Sequence, residues 1–167
     1  MLVDCINHRL NNPNATEWTV QGPFHGIHRI YPNGSNICLD GSDKLGGDGV
    51  PALISGRVLD CETLKPIKNA KVDVWLTGVD GEYAVQKPNA NYNSLENLCG
   101  IFITDDNGKF HFRAIKPTVY KVPEDGPGGD LLRFCGRHPW RPAHVHFMIT
   151  ADNYEKVTTH LFVNDLI

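Results

Sequence analysis

Two histidines, His144 and His146, lie two residues apart in the segment GRHPWRPAHVHFMI. The segment has the composition of a β-strand, in which successive side chains point to opposite faces, so both imidazoles should lie on the same face. The apolar residues Val145, Phe147 and Ile149 should face the other way. This spacing makes a shared metal ion geometrically easy, although two histidines that are simply hydrogen-bonded in the core or at the surface remain the alternative.

Further metal ligands would have to come from elsewhere in the chain. The sequence has neither an HExxH helix nor a cluster of closely spaced cysteines, which argues against the common zinc sites. Candidates are the tyrosines at turn-like strand ends, Tyr83 in DGEY and Tyr120 in KPTVYKVP. Residue type alone does not separate these two from Tyr31, Tyr92 and Tyr154, since a buried structural tyrosine is always an alternative.

The elements that would position these residues are short strands. Apolar, β-branched or aromatic runs bounded by turn residues predict strands at residues 53–59, 70–76, 110–115, 144–149 and 157–163. Turn signals such as DDNG at 105–108 and EDGPGG at 124–129 separate them, and no long helical period intervenes. The pattern predicts a mainly β protein, an antiparallel or mixed β-sandwich with long ordered loops.

Length and composition favour one domain. The 167 residues are 41% hydrophobic and 21% charged, which is enough for a real core. We expect the end of a helix within residues 1–15, a wrapping loop at 16–50 and the sandwich at 51–167. The formal net charge of −3 is spread along the chain. It offers no basic stripe for nucleic acid and no membrane-binding segment, and the five cysteines suggest free thiols in the cytoplasm.

Several sequence blocks together resemble the intradiol ring-cleavage dioxygenases, with the hydroxyquinol and catechol 1,2-dioxygenases as the most similar branch. The blocks are ATEWTVQGPFH, SGRVLD, AKVDVWLT with DGEY, TDDNGKFHFRAIKPTVYKVPEDGPGGDLL and GRHPWRPAHVHF. The resemblance selects the two missing ligands. It implies one iron(III) ion per chain, bound by Tyr83, Tyr120, His144 and His146.

Charge balance supports that ligand set. Holding a tyrosine as phenolate at neutral pH costs about 4 kcal/mol, because its pKa is near 10. A hard trivalent cation that prefers anionic oxygen offsets this cost better than a divalent ion does.

The resemblance also implies an activity and further site residues. The family uses O2 to open a catechol-type ring between its two hydroxyl-bearing carbons, giving cis,cis-muconate from catechol or maleylacetate from hydroxyquinol. Tyr120 corresponds to the axial tyrosine that substrate displaces, and Arg141 to an arginine that stabilises negative charge beside the substrate. His160 stands where relatives carry a polar residue close to the metal. Residues expected to line the substrate pocket are Gly22, Pro23 and Phe24.

The chain departs from these relatives at both ends, where they continue further. A homodimer is possible, but the N-terminal helices through which relatives dimerise are mostly missing. Two other classes of protein therefore stay open beside the enzyme. One is a catalytically inactive, truncated fragment of the family, and the other is a β-sandwich binding module, since SGRVLD and the strand near Ala70 also resemble transthyretin-like domains.

Overall fold

Eight β-strands and one short α-helix make up the regular structure of the computed structural model, which describes residues 12–87 and 94–163. The elements are β1 (Pro51–Arg57), β2 (Lys71–Leu76), β3 (Cys99–Ile103), β4 (Lys109–Ile115), β5 (Tyr120–Lys121), α1 (Pro127–Phe134), β6 (Trp140–Arg141), β7 (His144–Thr150) and β8 (Val157–Phe162). Single 3-10 turns occupy Ala84–Gln86 and Ser94–Glu96. The helix end expected within residues 1–15 falls mainly on 1–11, outside the described residues.

Two antiparallel sheets form the sandwich. One has the strand order β3-β2-β7-β8, and the other is the pair β1-β4. Their facing side chains form the main core, in which Phe102 stacks on Phe112 at 4.8 Å between ring centroids and Phe110 meets Phe147 at 6.0 Å. The mainly β fold predicted from the sequence is confirmed.

Strand β7 separates the two faces of the larger sheet. Val145 and Phe147 are buried in the main core, and Ile149 packs against it. His144 and His146 alternate with them and so lie on the opposite face, as period 2 predicts. That opposite face, called here the site face, also receives Asp73 and Trp75 from β2, because Val72, Val74 and Leu76 of the same strand belong to the core.

Residues 16–50 form no extended strand or helix, and contribute single β-bridges at Ile30 and Asn36. Part of this segment crosses the site face. Thr19 N donates to Thr158 O on β8 at 2.7 Å, and Tyr31 N donates to Ile101 O on β3 at 2.8 Å. The connection is thus attached to both edge strands of the larger sheet.

The sequence prediction was incomplete in three places. Each of the five predicted strands overlaps an observed one, but β3, β5 and β6 were not predicted. The turn signal at 124–129 was wrong in part, because α1 begins inside it with Gly126 as N-cap and Pro127 in its first turn. Proline suits that position, since its fixed φ is helical and its missing N–H would have no partner there. Within the described ranges, no helix is long and apolar enough to cross a membrane.

Candidate metal centre

The two β7 histidines direct one nitrogen each to the same point. Their Nε2 atoms are 3.2 Å apart, and both side chains are almost fully buried. His144 Nδ1 donates to Pro142 O at 2.7 Å, which leaves its Nε2 as the lone-pair nitrogen. A hydrogen bond of this kind from the distal nitrogen is the usual way in which proteins fix the tautomer of a metal-binding histidine.

Tyr83 reaches this point from the loop after β2. A turn closed by the Gly78 N to Glu82 O bond brings the chain back, and Tyr83 N donates to Gln86 Oε1 at 3.0 Å at the start of the 3-10 turn. The Tyr83 hydroxyl lies 2.9 Å from His146 Nε2 and 3.3 Å from His144 Nε2. Three donor atoms from two separate elements therefore meet, and the side chain of Tyr83 is only 1% exposed.

Tyr120 comes from the two-residue strand β5. It is the direct partner of Arg141 in the β5-β6 pair, and Arg141 Nη1 donates to the Tyr120 hydroxyl at 3.2 Å. The ring of Tyr120 meets Tyr83 edge-on at 5.4 Å and His144 at 5.5 Å between centroids. All four residues predicted as ligands thus belong to one buried ring cluster, with Arg141 attached to it.

Burial sets the protonation states of this cluster. It is the main cause that raises the pKa of Tyr83 far above its usual value, with the neighbouring Tyr120 adding to the effect and Arg141 opposing it. Burial also lowers the pKa of His146 to about 2, helped by His160 and His144, and lowers that of His144. Both imidazoles are therefore neutral donors, whereas a Tyr83 phenolate needs a strong cation beside it.

The donor set fits an iron(III) ion. Two neutral imidazole nitrogens and two phenol oxygens are ligands that a hard trivalent cation accepts, and such a charge is what would offset the raised pKa of Tyr83. These side chains supply neither a carboxylate nor a thiolate, the other anionic ligands that proteins offer to metals.

His160 lies beside the histidine pair, as the cross-strand partner of His146 on β8. Its ring centroid is 4.2 Å from that of His146 and 5.0 Å from that of His144, and one nitrogen from each of the three rings fits within 4.8 Å. Its Nε2 is buried and has no hydrogen-bond partner among the described residues. Burial, with His144 and Arg141, lowers the pKa of His160 to about 4, so it too is neutral.

Of the three predicted pocket residues, Phe24 contacts the cluster and Gly22 lies close to it. Phe24 stacks on Tyr83 with centroids 5.0 Å apart and planes 19° from parallel. Gly22 has a positive φ of 77°, and a Cβ added there would lie 3.9 Å from His146 Cε1. Pro23, between them, is exposed to solvent.

The sequence did not predict the residues of β2 and residues 25–28 that pack against the cluster or beside it. The indole of Trp75, the β2 partner of His146, stacks on that imidazole at 4.6 Å with planes 12° apart. Next to it a second group is formed by Asp73 with His25 and His28, in which both histidines contact the buried carboxylate. The signal was present as an aspartate inside the hydrophobic strand KVDVWL, since a buried charge requires partners.

Comparison with known proteins places these features in a family. A family model described as "Dioxygenase" matches residues 21–166. A hydroxyquinol 1,2-dioxygenase of Rhizobium sp. (strain MTP-10005) is 44% identical over 99% of this chain and 53% of its own length. An intradiol ring-cleavage dioxygenase of Aspergillus niger is 38% identical over 99% of this chain and 47% of its own.

A solved structure gives the same result for the fold. The crystal structure of a hydroxyquinol 1,2-dioxygenase from Pseudomonas putida DLL-E4 superimposes with a TM-score of 0.81 at 45% identity. The match covers 97% of this chain and 53% of that one. The chain therefore spans about half the length of the relatives it matches.

Proposed function

Because the chain belongs to the intradiol ring-cleavage dioxygenase family, we propose that it inserts both atoms of O2 into a catechol-type ring, using an iron(III) ion. The proposed ligands are the two tyrosines and two histidines of the buried ring cluster. The observation that carries the proposal is the meeting of the Tyr83 hydroxyl with both histidine Nε2 atoms within 3.3 Å. We also propose that the protein acts in the cytoplasm, in line with the four free cysteines among its described residues.

Iron(III), when bound, would make a chelated catecholate electron-rich enough to react with O2. The protein's part is to hold the ligands in place and to keep water out. His144 is oriented by its bond to Pro142 O, His146 by stacking on Trp75, and Tyr83 by Phe24. These supports come from three different parts of the chain and restrain each donor atom before substrate arrives, which is how preorganised sites lower a barrier.

Tyr120 and Arg141 supply proton transfer and charge stabilisation in this proposal. Catechol must lose both hydroxyl protons to chelate a metal. Tyr120, held as a phenolate when it serves as a ligand, would accept one of them and become the neutral phenol, and the other would pass to solvent. The Arg141 guanidinium lies next to that oxygen and can donate to it. It can therefore stabilise negative charge that develops on the substrate, in the manner of an oxyanion-stabilising donor.

The substrate is proposed to lie between residues 22–24 and His160. Phe24 packs on Tyr83, Gly22 lies close to His146 with the exposed Pro23 between them in sequence, and the unpartnered Nε2 of His160 offers a polar contact. Relatives named hydroxyquinol 1,2-dioxygenase at 44–45% identity favour hydroxyquinol, a ring with three hydroxyls, over catechol.

Metal content and colour test the site. Protein loaded with iron(III) should bind one ion per chain and show the visible absorption of tyrosinate bound to iron(III). Tyr83→Phe and Tyr120→Phe should each weaken that band strongly. Tyr154→Phe, at a tyrosine that is 46% exposed, is the matched control and should leave it unchanged. A wild-type protein that stays colourless in the presence of iron(III) would refute the site.

Oxygen uptake tests the activity. Hydroxyquinol and catechol are offered to the iron-loaded protein, and the product is analysed for cleavage between the hydroxylated carbons. Turnover of either compound to the corresponding diacid supports the enzyme. Iron binding without oxygen uptake would instead favour the catalytically inactive alternative.

A further inference from the structure

A segment of the long connection, residues 19–31, lies over the site face like a strap and will be called the strap. Its ends are fixed by backbone hydrogen bonds to opposite edges of the larger sheet, to Thr158 on β8 and to Ile101 on β3. Ile101 N also donates to Arg29 O at 2.7 Å. Between these ends the strap passes over the centre of the sheet, where β2 lies.

The strap is held at its centre by a buried carboxylate. Asp73 of β2 is 6% exposed, and each of its two oxygens accepts one hydrogen bond from the strap. His25 Nε2 lies 2.9 Å from Oδ2, and His28 Nδ1 lies 2.5 Å from Oδ1. Because an ionised carboxylate only accepts, both nitrogens are donors, and hydrogen bonds to a buried charge are stronger than those between neutral groups.

The same three residues have the composition of a metal site, but their hydrogen bonding favours an anchor. Gly26 N donates to His28 Nε2 at 3.3 Å, so that nitrogen carries the lone pair and Nδ1 carries the proton. A metal at Nδ1 would require the proton to move to Nε2, where it would face the Gly26 N–H. Asp73 is therefore best described as the acceptor for two imidazole N–H groups.

Two neighbouring strap residues pack near two different proposed ligands, one directly and the other through Trp75. Phe24 stacks directly on Tyr83. His25 meets Trp75 edge-on, with centroids 4.7 Å apart, and Trp75 in turn stacks on His146. A shift of the strap centre would thus reach an oxygen ligand and a nitrogen ligand together.

We propose that Asp73 is a positioning residue, which anchors the strap through His25 and His28 so that Phe24 and Trp75 hold Tyr83 and His146 in their ligand geometry. The inference rests on the proposed function, because it concerns the ligands of the proposed iron site. It assigns to β2 a role in the site although none of its residues is a proposed ligand.

The test compares Asp73→Leu with Asp73→Asn. Leucine has a similarly branched but larger side chain and accepts no hydrogen bond, whereas asparagine has nearly the volume of aspartate, keeps one acceptor for His28 and can donate to the other tautomer of His25. For the iron-loaded Asp73→Leu protein we expect a displaced tyrosinate-to-iron(III) absorption maximum and a loss of about 10- to 100-fold in kcat/KM, since small misplacements of reacting groups have effects of that size. Asp73→Asn should recover most of both, and Asp106→Asn in the exposed turn before β4 is the control.

A second pair of variants covers the case in which Asp73→Leu does not fold. The His25 side chain is 18% exposed and does not belong to the main core, so its replacement is a milder change than that of the buried Asp73. His25→Leu should displace the absorption maximum, and His25→Gln, which can still donate to Asp73, should displace it less. Variants that lower the melting temperature but leave the spectrum and kcat/KM of the wild type would refute the positioning role.

Two further outcomes have defined meanings. If the iron-loaded wild-type protein, dialysed against zinc, retains a second ion that Asp73→Leu loses, the three residues are a metal site and the anchor is refuted. A wild-type protein without the tyrosinate band would overturn the proposed function and this inference with it. A wild-type band that Asp73→Leu and His25→Leu leave unchanged would overturn the anchor alone.

Discussion

Replacing Arg141 by alanine should reduce turnover without reducing iron content. The half-buried guanidinium donates to the Tyr120 hydroxyl at 3.2 Å, and Arg141 is not one of the four proposed ligands. A hydrogen bond to a charged group contributes about 1.5–3 kcal/mol. If that interaction is made mainly in the transition state, its loss lowers kcat/KM by about 10- to 150-fold.

The assay is oxygen uptake together with metal analysis of the same preparations. Arg141→Lys should recover part of the rate, since it keeps the positive charge but replaces the planar guanidinium, with its several N–H donors, by a compact ammonium group. The matched control is Arg57→Ala on β1, in the other sheet, where the side chain donates only to Asn107 O. Iron content that falls in parallel with kcat/KM would contradict the charge-stabilising role and make Arg141 a structural support of Tyr120.

Three further predictions concern other parts of the chain. His160→Leu should raise KM for hydroxyquinol while His160→Gln, which keeps a polar group, should raise it less, as measured by steady-state oxygen uptake. Burial raises the pKa of Asp40, but hydrogen bonds from Ser42, Cys38 and Asn97 lower it more, so the carboxylate stabilises the fold above its unfolded pKa of about 4. The melting temperature of the wild type should therefore exceed that of Asp40→Asn at pH 7, and this difference should shrink as the pH falls below about 4 through the lower folded pKa. Phe112→Ala, at a fully buried ring, should cost about 3–5 kcal/mol in the free energy of unfolding measured with urea.

The strands with alternating burial could be predicted from sequence, and those without it could not. Strand β4 alternates with every second residue buried, and its period is visible in KFHFRAI. Strand β3 is buried on both faces and contains a glycine, so CGIFI shows no period. The helix α1 escaped prediction because it is eight residues long and begins with Pro127, Gly128 and Gly129, residues that are typical of turns.

In the site, likewise, features set by local sequence could be predicted and features set by distant contacts could not. That His144 and His146 share a face follows from local geometry, and the structure confirms it. The tyrosines are brought close by contacts distant in sequence, such as the Tyr120 pairing with Arg141, which residue types do not encode. Only the family resemblance selected them. Asp73 was overlooked because its partners lie in the strap, more than 40 residues away.

The attachment of the strap to both edges of the larger sheet has a consequence for the order of folding. Its first attachment point, Thr158, is near the other end of the described chain, and its centre needs β2 in place. Closing so long a loop costs conformational entropy, and the contacts that offset this cost form only when the sheet is complete. During synthesis the cluster should therefore stay open to solvent until β8 has paired with β7, and its burial should be among the last steps in forming the described fold.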